Sequence, residues 1–126
     1  MTSRPKPTES ELEILQLLWK NGPATVRTIN DQLNLKRDIG YTTSLKIMQI
    51  MHEKGMVTRE PKGRSHIYHA VYQEQETQKV LLDKFLETAF GGSAMKLVMQ
   101  ALGNRKSSKT ELQQIRNLLD RMEDSP

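Results

Sequence analysis

Residues 25–54 read TVRTINDQLNLKRDIGYTTSLKIMQIMHEK and residues 55–72 read GMVTREPKGRSHIYHAVY. In the first stretch Thr25 is placed to cap a short helix running to about Leu33, with Val26, Ile29 and Leu33 on its inner face. Asn34 to Gly40 then forms a connector carrying Lys36 and Arg37. A further helix runs from about Tyr41 to Lys54, stopped by Gly55, with Leu45, Met48 and Met51 as its apolar stripe. Thr42, Lys46, Gln49 and Glu53 lie on another face, at spacings of four, three and four. In the second stretch the period changes. Met56 to Glu60 and Ser65 to Val71 are rich in β-branched and aromatic residues, and Pro61-Lys62-Gly63-Arg64 between them is turn sequence. The two runs predict a hairpin with a basic tip.

Upstream, Pro5 and Pro7 mark the first four to seven residues as a frayed arm, and Thr8-Glu9-Ser10-Glu11 fits a capping box. Leu12, Leu15, Leu18 and Trp19 recur behind it at helical spacing, with Ile14 and Leu17 beside them, until Asn21-Gly22-Pro23 ends the helix. Three short helices followed by a hairpin fit a winged helix-turn-helix. Downstream the chain returns to helix. Residues 74–90 are followed by a Gly91-Gly92 break, then by Ser93 as cap of a helix from Ala94 to Leu102. Ser108-Lys109-Thr110-Glu111 reads as a second capping box, and Leu112, Ile115, Leu119 and Met122 follow at seam spacing. The fold class is therefore mainly α with a small β-hairpin: a winged-helix domain over residues 1–72 and a helical dimerisation region over 73–126.

The chain has 126 residues, 19 Lys+Arg against 15 Asp+Glu, and no cysteine. This length allows one ordinary domain or two small lobes. Without cysteine there are no disulfides, no thiolate zinc finger and no thiol nucleophile. No apolar run suits a membrane span, and MTSRPKPTES lacks a signal-peptide core, so a cytoplasmic location is expected. The basic excess is local. Residues 1–72 hold 11 basic and 7 acidic side chains, whereas residues 73–126 hold 8 of each. Excess positive charge confined to the winged-helix part points to a polyanionic partner there.

In a helix-turn-helix the second helix enters the major groove and its N-terminal residues meet base edges. Tyr41-Thr42-Thr43-Ser44 suits that position: hydroxyls reach phosphates or bases, and threonine methyls can touch a thymine methyl. Lys46 and Gln49 continue the face, while Arg37, Lys62 and Arg64 would grip flanking phosphates. The candidate DNA-binding residues are thus Arg37, Tyr41, Thr42, Thr43, Lys46, Gln49, Lys62 and Arg64. In the tail, Leu82, Phe85, Leu86, Phe90, Met95, Val98, Met99, Leu102, Leu112, Ile115 and Leu119 are the candidate dimerisation residues, because the tail has more apolar surface than solitary helices leave wet. No catalytic residue, metal site or cofactor is nominated. His66 and His69 fall on opposite faces of a strand, and no phosphate-cradling glycine loop occurs.

Taken in order, Glu9 to Leu15 with Leu18-Trp19, Tyr41-Thr42-Thr43, Glu53 to Val57, and Gly63-Arg64 followed by Tyr68 resemble the penicillinase repressor family, which includes BlaI and MecI and the related CopY repressors. The resemblance implies a homodimeric repressor on a palindromic operator, its N-terminal winged helix reading double-stranded DNA and its C-terminal helices pairing. It also implies a membrane sensor-protease that triggers cleavage in the tail. The Asn-Phe bond cut in staphylococcal members aligns near Gln100-Ala101, where neither residue matches, which argues against cleavage at that place. Ile50 stands where many members have arginine and Lys46 where threonine is common, so a different operator is expected. The cysteine motif of CopY-type members is missing. Two other readings stay open: a winged helix that docks a protein, and a regulator that binds a small effector among residues 80–102.

Overall fold

The structure, a computed structural model, describes residues 4–125. Its elements in chain order are α1 (Glu9–Asn21), α2 (Val26–Leu33), α3 (Tyr41–Glu53), β1 (Val57–Lys62), β2 (Ser65–Ala70), α4 (Glu74–Phe90), α5 (Ala94–Gly103) and α6 (Lys109–Asp124). The described chain divides into two compact units that part between Leu81 and Leu82, inside α4.

The first unit is built around α1 to α3. The α1 capping box forms in full: Glu11 N–H donates to Thr8 Oγ1 at 3.2 Å, and Thr8 N–H donates to Glu11 Oε1 at 2.9 Å. Gly22, at φ 88°, ends the helix in a conformation that side-chain-bearing residues avoid. Thr25 Oγ1 caps α2 by accepting from Thr28 N–H. Twelve buried side chains make the core, from Ile14, Leu15 and Leu18 of α1 through Val26, Ile29 and Leu33 of α2 and Met48 and Met51 of α3. Met56, Val57, Tyr68 and Tyr72 close it. Full burial of each such aliphatic side chain stabilises by roughly 1.5–3 kcal/mol.

The hairpin pairs β1 and β2 antiparallel, from Val57 opposite Ala70 to Lys62 opposite Ser65. The turn is tighter than the sequence reading. Pro61 and Lys62 belong to β1, leaving Gly63 (φ 61°) and Arg64 as a two-residue loop of the II′ kind. In such a loop the Lys62–Ser65 pair exchanges hydrogen bonds and the next pair does not, so Pro61 loses nothing by lacking an N–H. Ala24 adds a bridge to Tyr68 on the other side of β2, with bonds of 2.8 and 3.1 Å.

One expectation at the N-terminus is corrected. Residues 1–3 lie outside the described residues, but Arg4 and Pro5 are not frayed: Tyr72 Oη donates to the Pro5 carbonyl at 2.7 Å, and the Arg4 guanidinium stands 4.9 Å over the Tyr72 ring. A buried tyrosine needs a partner for its hydroxyl, and the arm supplies it.

The second unit comprises the rest of α4 with α5 and α6. Phe85 and Phe90 meet edge to face at 5.6 Å, and Ser93 Oγ caps α5 by accepting from Lys96 N–H. At α6 the expected capping box forms by half. Ser108 Oγ accepts from Glu111 N–H, while no reciprocal bond from the Glu111 side chain is made among the described residues. Both groups are exposed, so water competes for the missing bond. No helix of the described residues is long and apolar enough to cross a membrane.

Candidate nucleic-acid interface

Rotation of α3 about its axis decides which side chains it offers. Ser44, Met48 and Met51 are its buried residues, spaced four and three, and Thr42, Lys46, Gln49 and Glu53 are exposed on the opposite side. The sequence stripe put Leu45 in the core row. The structure turns Ser44 inward instead and leaves Leu45 half-buried at the edge. Ser44 is therefore withdrawn from the exposed helix start in which the sequence reading had placed its hydroxyl.

Polarity pulls Ser44 inward. Asn30 on α2, itself buried, donates through Nδ2 to Ser44 Oγ at 2.8 Å and to the Ile39 carbonyl at 3.0 Å. Asn34 folds the connector from outside: its Nδ2 donates to the carbonyls of Asn30 and Ile39, both at 2.9 Å, and its Oδ1 accepts from Ile39 N–H at 3.1 Å. The α2–connector–α3 unit is thus clamped by side-chain amides. No buried side-chain polar atom is left without a partner among the described residues. At the far end of α3, Lys54 Nζ meets Glu11 Oε2 at 2.9 Å, tying the helix to the α1 cap.

Tyr41, Thr42, Thr43, Lys46 and Gln49 are exposed on α3, and Lys62 and Arg64 are exposed on the hairpin. Lys46, Lys62 and Arg64 form no ion pair among the described residues. Arg37 differs. Its Nη2 lies 2.7 Å from Glu13 Oε1 on α1, so its charge is engaged within the fold. The sequence reading missed Arg27, an exposed residue of α2 whose guanidinium stands 4.6 Å over the Tyr41 ring. Arginine two residues after a cap threonine and aromatic at the next helix start was the available signal, but only the crossing of α2 and α3 brings them together.

In the tail, Leu82, Phe85, Met95, Val98, Met99, Leu102 and Leu119 are exposed, with Met95 at 74% and Met99 at 68%. Leu86, Phe90, Leu112 and Ile115 are half-buried. An open groove of about 750 Å³ lies on the first unit, lined among others by Trp19, Leu33, Leu35 and Glu74. It does not involve the 82–102 stretch. Among the described residues no three His, Asp or Glu side chains group as a metal site.

Three helices, a tight connector and a two-stranded wing define a winged helix-turn-helix protein. The chain belongs to the penicillinase repressor family, whose model, described as "Penicillinase repressor", matches residues 7–121. It is 19% identical over 114 residues to the methicillin resistance regulatory protein MecI of Mammaliicoccus sciuri, covering 90% of this chain and 93% of that one. It is 28% identical over 85 residues to the transcriptional regulator BlaI of Mycobacterium tuberculosis, covering 66% and 62% respectively. The penicillinase repressor of Bacillus licheniformis is 21% identical over 120 residues, 95% of this chain and 94% of its own. Among solved structures, the DNA-binding domain of the repressor BlaI superposes with a TM-score of 0.53 at 20% identity, over 60% of this chain and 93% of that domain.

Proposed function

We propose that the protein is a homodimeric transcriptional repressor that reads a palindromic operator with α3 of each copy. The carrying observation is the division of α3 into a core face and an exposed face of Thr42, Lys46 and Gln49, with Tyr41 and Thr43 at its start. A helix so divided and amide-clamped to its predecessor can lie in a major groove without unfolding anything, its threonines and Lys46 reaching base edges and phosphates. The wing contributes Lys62 and Arg64 as backbone grips. Arg37 is proposed as a weaker grip, because Glu13 partly neutralises it through Nη2 while its other N–H donors are left for a phosphate. Family membership and relatives named as repressors and regulators support the same reading.

Pairing is proposed through the tail. Its exposed methionines, leucines, Val98 and Phe85 present an apolar surface that a second copy would cover. Two heads on a two-fold axis would engage half-sites one or two DNA turns apart, roughly 10–20 base pairs. Each head then raises the effective concentration of the other, so loosening the tail vacates the operator without an active site. A sensor-protease acting at Gln100-Ala101 is not part of this proposal, because that bond differs from the Asn-Phe bond that the resemblance implies.

Random-duplex selection with the purified full chain, followed by sequencing, tests this reading. Enrichment of a palindrome, with affinity falling on a log–log salt plot by about 0.9 per phosphate contact, is the expected result. A pool that stays unenriched at low salt overturns it.

A further inference from the structure

Arg27 and Tyr41 sit on different helices, and neither has a role in the fold's core. The Arg27 guanidinium carbon lies 4.6 Å from the Tyr41 ring centroid, within cation–π range. Both residues are exposed, and Arg27 forms no ion pair among the described residues. Asp31, one turn further along α2, forms no ion pair with it. An exposed arginine whose guanidinium is held over a ring keeps N–H donors free for an acceptor and gives up less rotamer freedom on engaging one. That is how a pre-set anion contact is built. The ring belongs to the first residue of α3, adjoining Thr42 and Thr43.

We infer that Arg27, held over the Tyr41 ring, grips a backbone phosphate of the duplex that α3 reads, and that this cation–π contact registers α3 against that strand. The inference rests on the DNA-binding reading above and adds a contact from α2 to it. In a helix-turn-helix the first helix of the pair crosses the sugar–phosphate backbone while the second enters the groove, which puts a cation on α2 opposite phosphate and not base. Being joined to Tyr41, the contact fixes where the α3 N-terminus stands along the groove. Arg27 contributes affinity of a sequence-independent kind, and Tyr41 contributes through Arg27 as a positioning residue.

The experiment measures operator and scrambled-duplex affinity across salt for the full-length wild type, Arg27→Gln, Arg27→Lys, Tyr41→Leu and the Arg27→Gln/Tyr41→Leu double variant. Arg27→Gln should bind both duplexes roughly tenfold more weakly and flatten the log–log salt slope by about 0.9. Arg27→Lys should keep the slope and lose part of the affinity, because it retains charge without the planar fork. Tyr41→Leu should cost less in the Arg27→Gln background than in the wild type. An unchanged slope in Arg27→Gln, or a loss confined to the operator, overturns the phosphate assignment while leaving DNA binding standing. Additive effects in the double variant overturn the coupling. A wild type that binds neither duplex removes the underlying reading itself.

Discussion

Asn30 Nδ2 and Ser44 Oγ, on successive helices and both buried, are joined by a 2.8 Å hydrogen bond. The bond sets the rotation of α3, and therefore which residues α3 exposes. Because Asn30 Nδ2 also serves the Ile39 carbonyl, the two partners are unequal.

Asn30→Ala strands the buried Ser44 hydroxyl and should destabilise the protein by about 2 kcal/mol, whereas Ser44→Ala leaves Asn30 its carbonyl partner and should cost about 1 kcal/mol. Urea unfolding of the two variants measures this. Equal losses, or the reverse order, would contradict the assigned network.

The Glu11–Lys54 pair is asymmetric in another way. The Glu11 side chain is only 4% exposed and that of Lys54 is 33% exposed. Lys54→Met leaves a carboxylate buried with only the Thr8 N–H, at a cost of about 2–3 kcal/mol, while Glu11→Gln frees a lysine that can turn to water and should cost about 1 kcal/mol. Chemical denaturation of both variants decides the order.

Burial raises the Tyr72 phenol above its ordinary 10.0, with Glu11 adding to the rise and Arg4 and Lys54 opposing it. The folded state keeps a proton that the unfolded state gives up, so this stabilisation is fully present below pH 10 and is lost as pH climbs through the folded value. Wild type should therefore lose stability above pH 10 more steeply than Tyr72→Phe. Parallel thermal melts of the two across pH 8–11 would refute the assignment.

On the α3 face, Thr43→Ala combined with Lys46→Ala should weaken operator binding by roughly tenfold or more without altering the subunit count. Gel shift and sedimentation on the same samples test both halves. An unaltered shift would remove α3 as the reader.

For the tail, Phe85→Glu together with Met99→Glu places charge on apolar surface that pairing would bury. The expected outcome is a monomer by sedimentation at micromolar concentration, with operator affinity reduced at least tenfold and helix content kept. A wild type that already sediments as a monomer at that concentration would rule out the proposed pairing.

Much of the fold was legible locally. Thr8, Thr25 and Ser93 mark helix starts by side-chain chemistry acting within three residues, and all three caps form as the sequence implies. Gly22 and Gly63 mark turns through their own backbone freedom. Where reading failed, the deciding interaction joined residues far apart. Leu45 outranks Ser44 on hydrophobicity, and nothing within α3 reveals that Asn30 offers an inward donor. Arg4 and Pro5 lack any local reason to be ordered, since Tyr72 lies 67 positions beyond Pro5.

By itself, the amino-acid sequence determined where most helices begin and stop, that residues 56–71 hold a hairpin, and that basic excess and apolar surplus occupy different parts of the chain. Period, capping and charge act over a few residues and can be read without knowing what lies opposite. Only the tertiary structure decided the rotation of α3, the engagement of Arg37 by Glu13 and the placing of Arg27 over the Tyr41 ring. Those depend on which helices cross, and a crossing exists only once the core has closed.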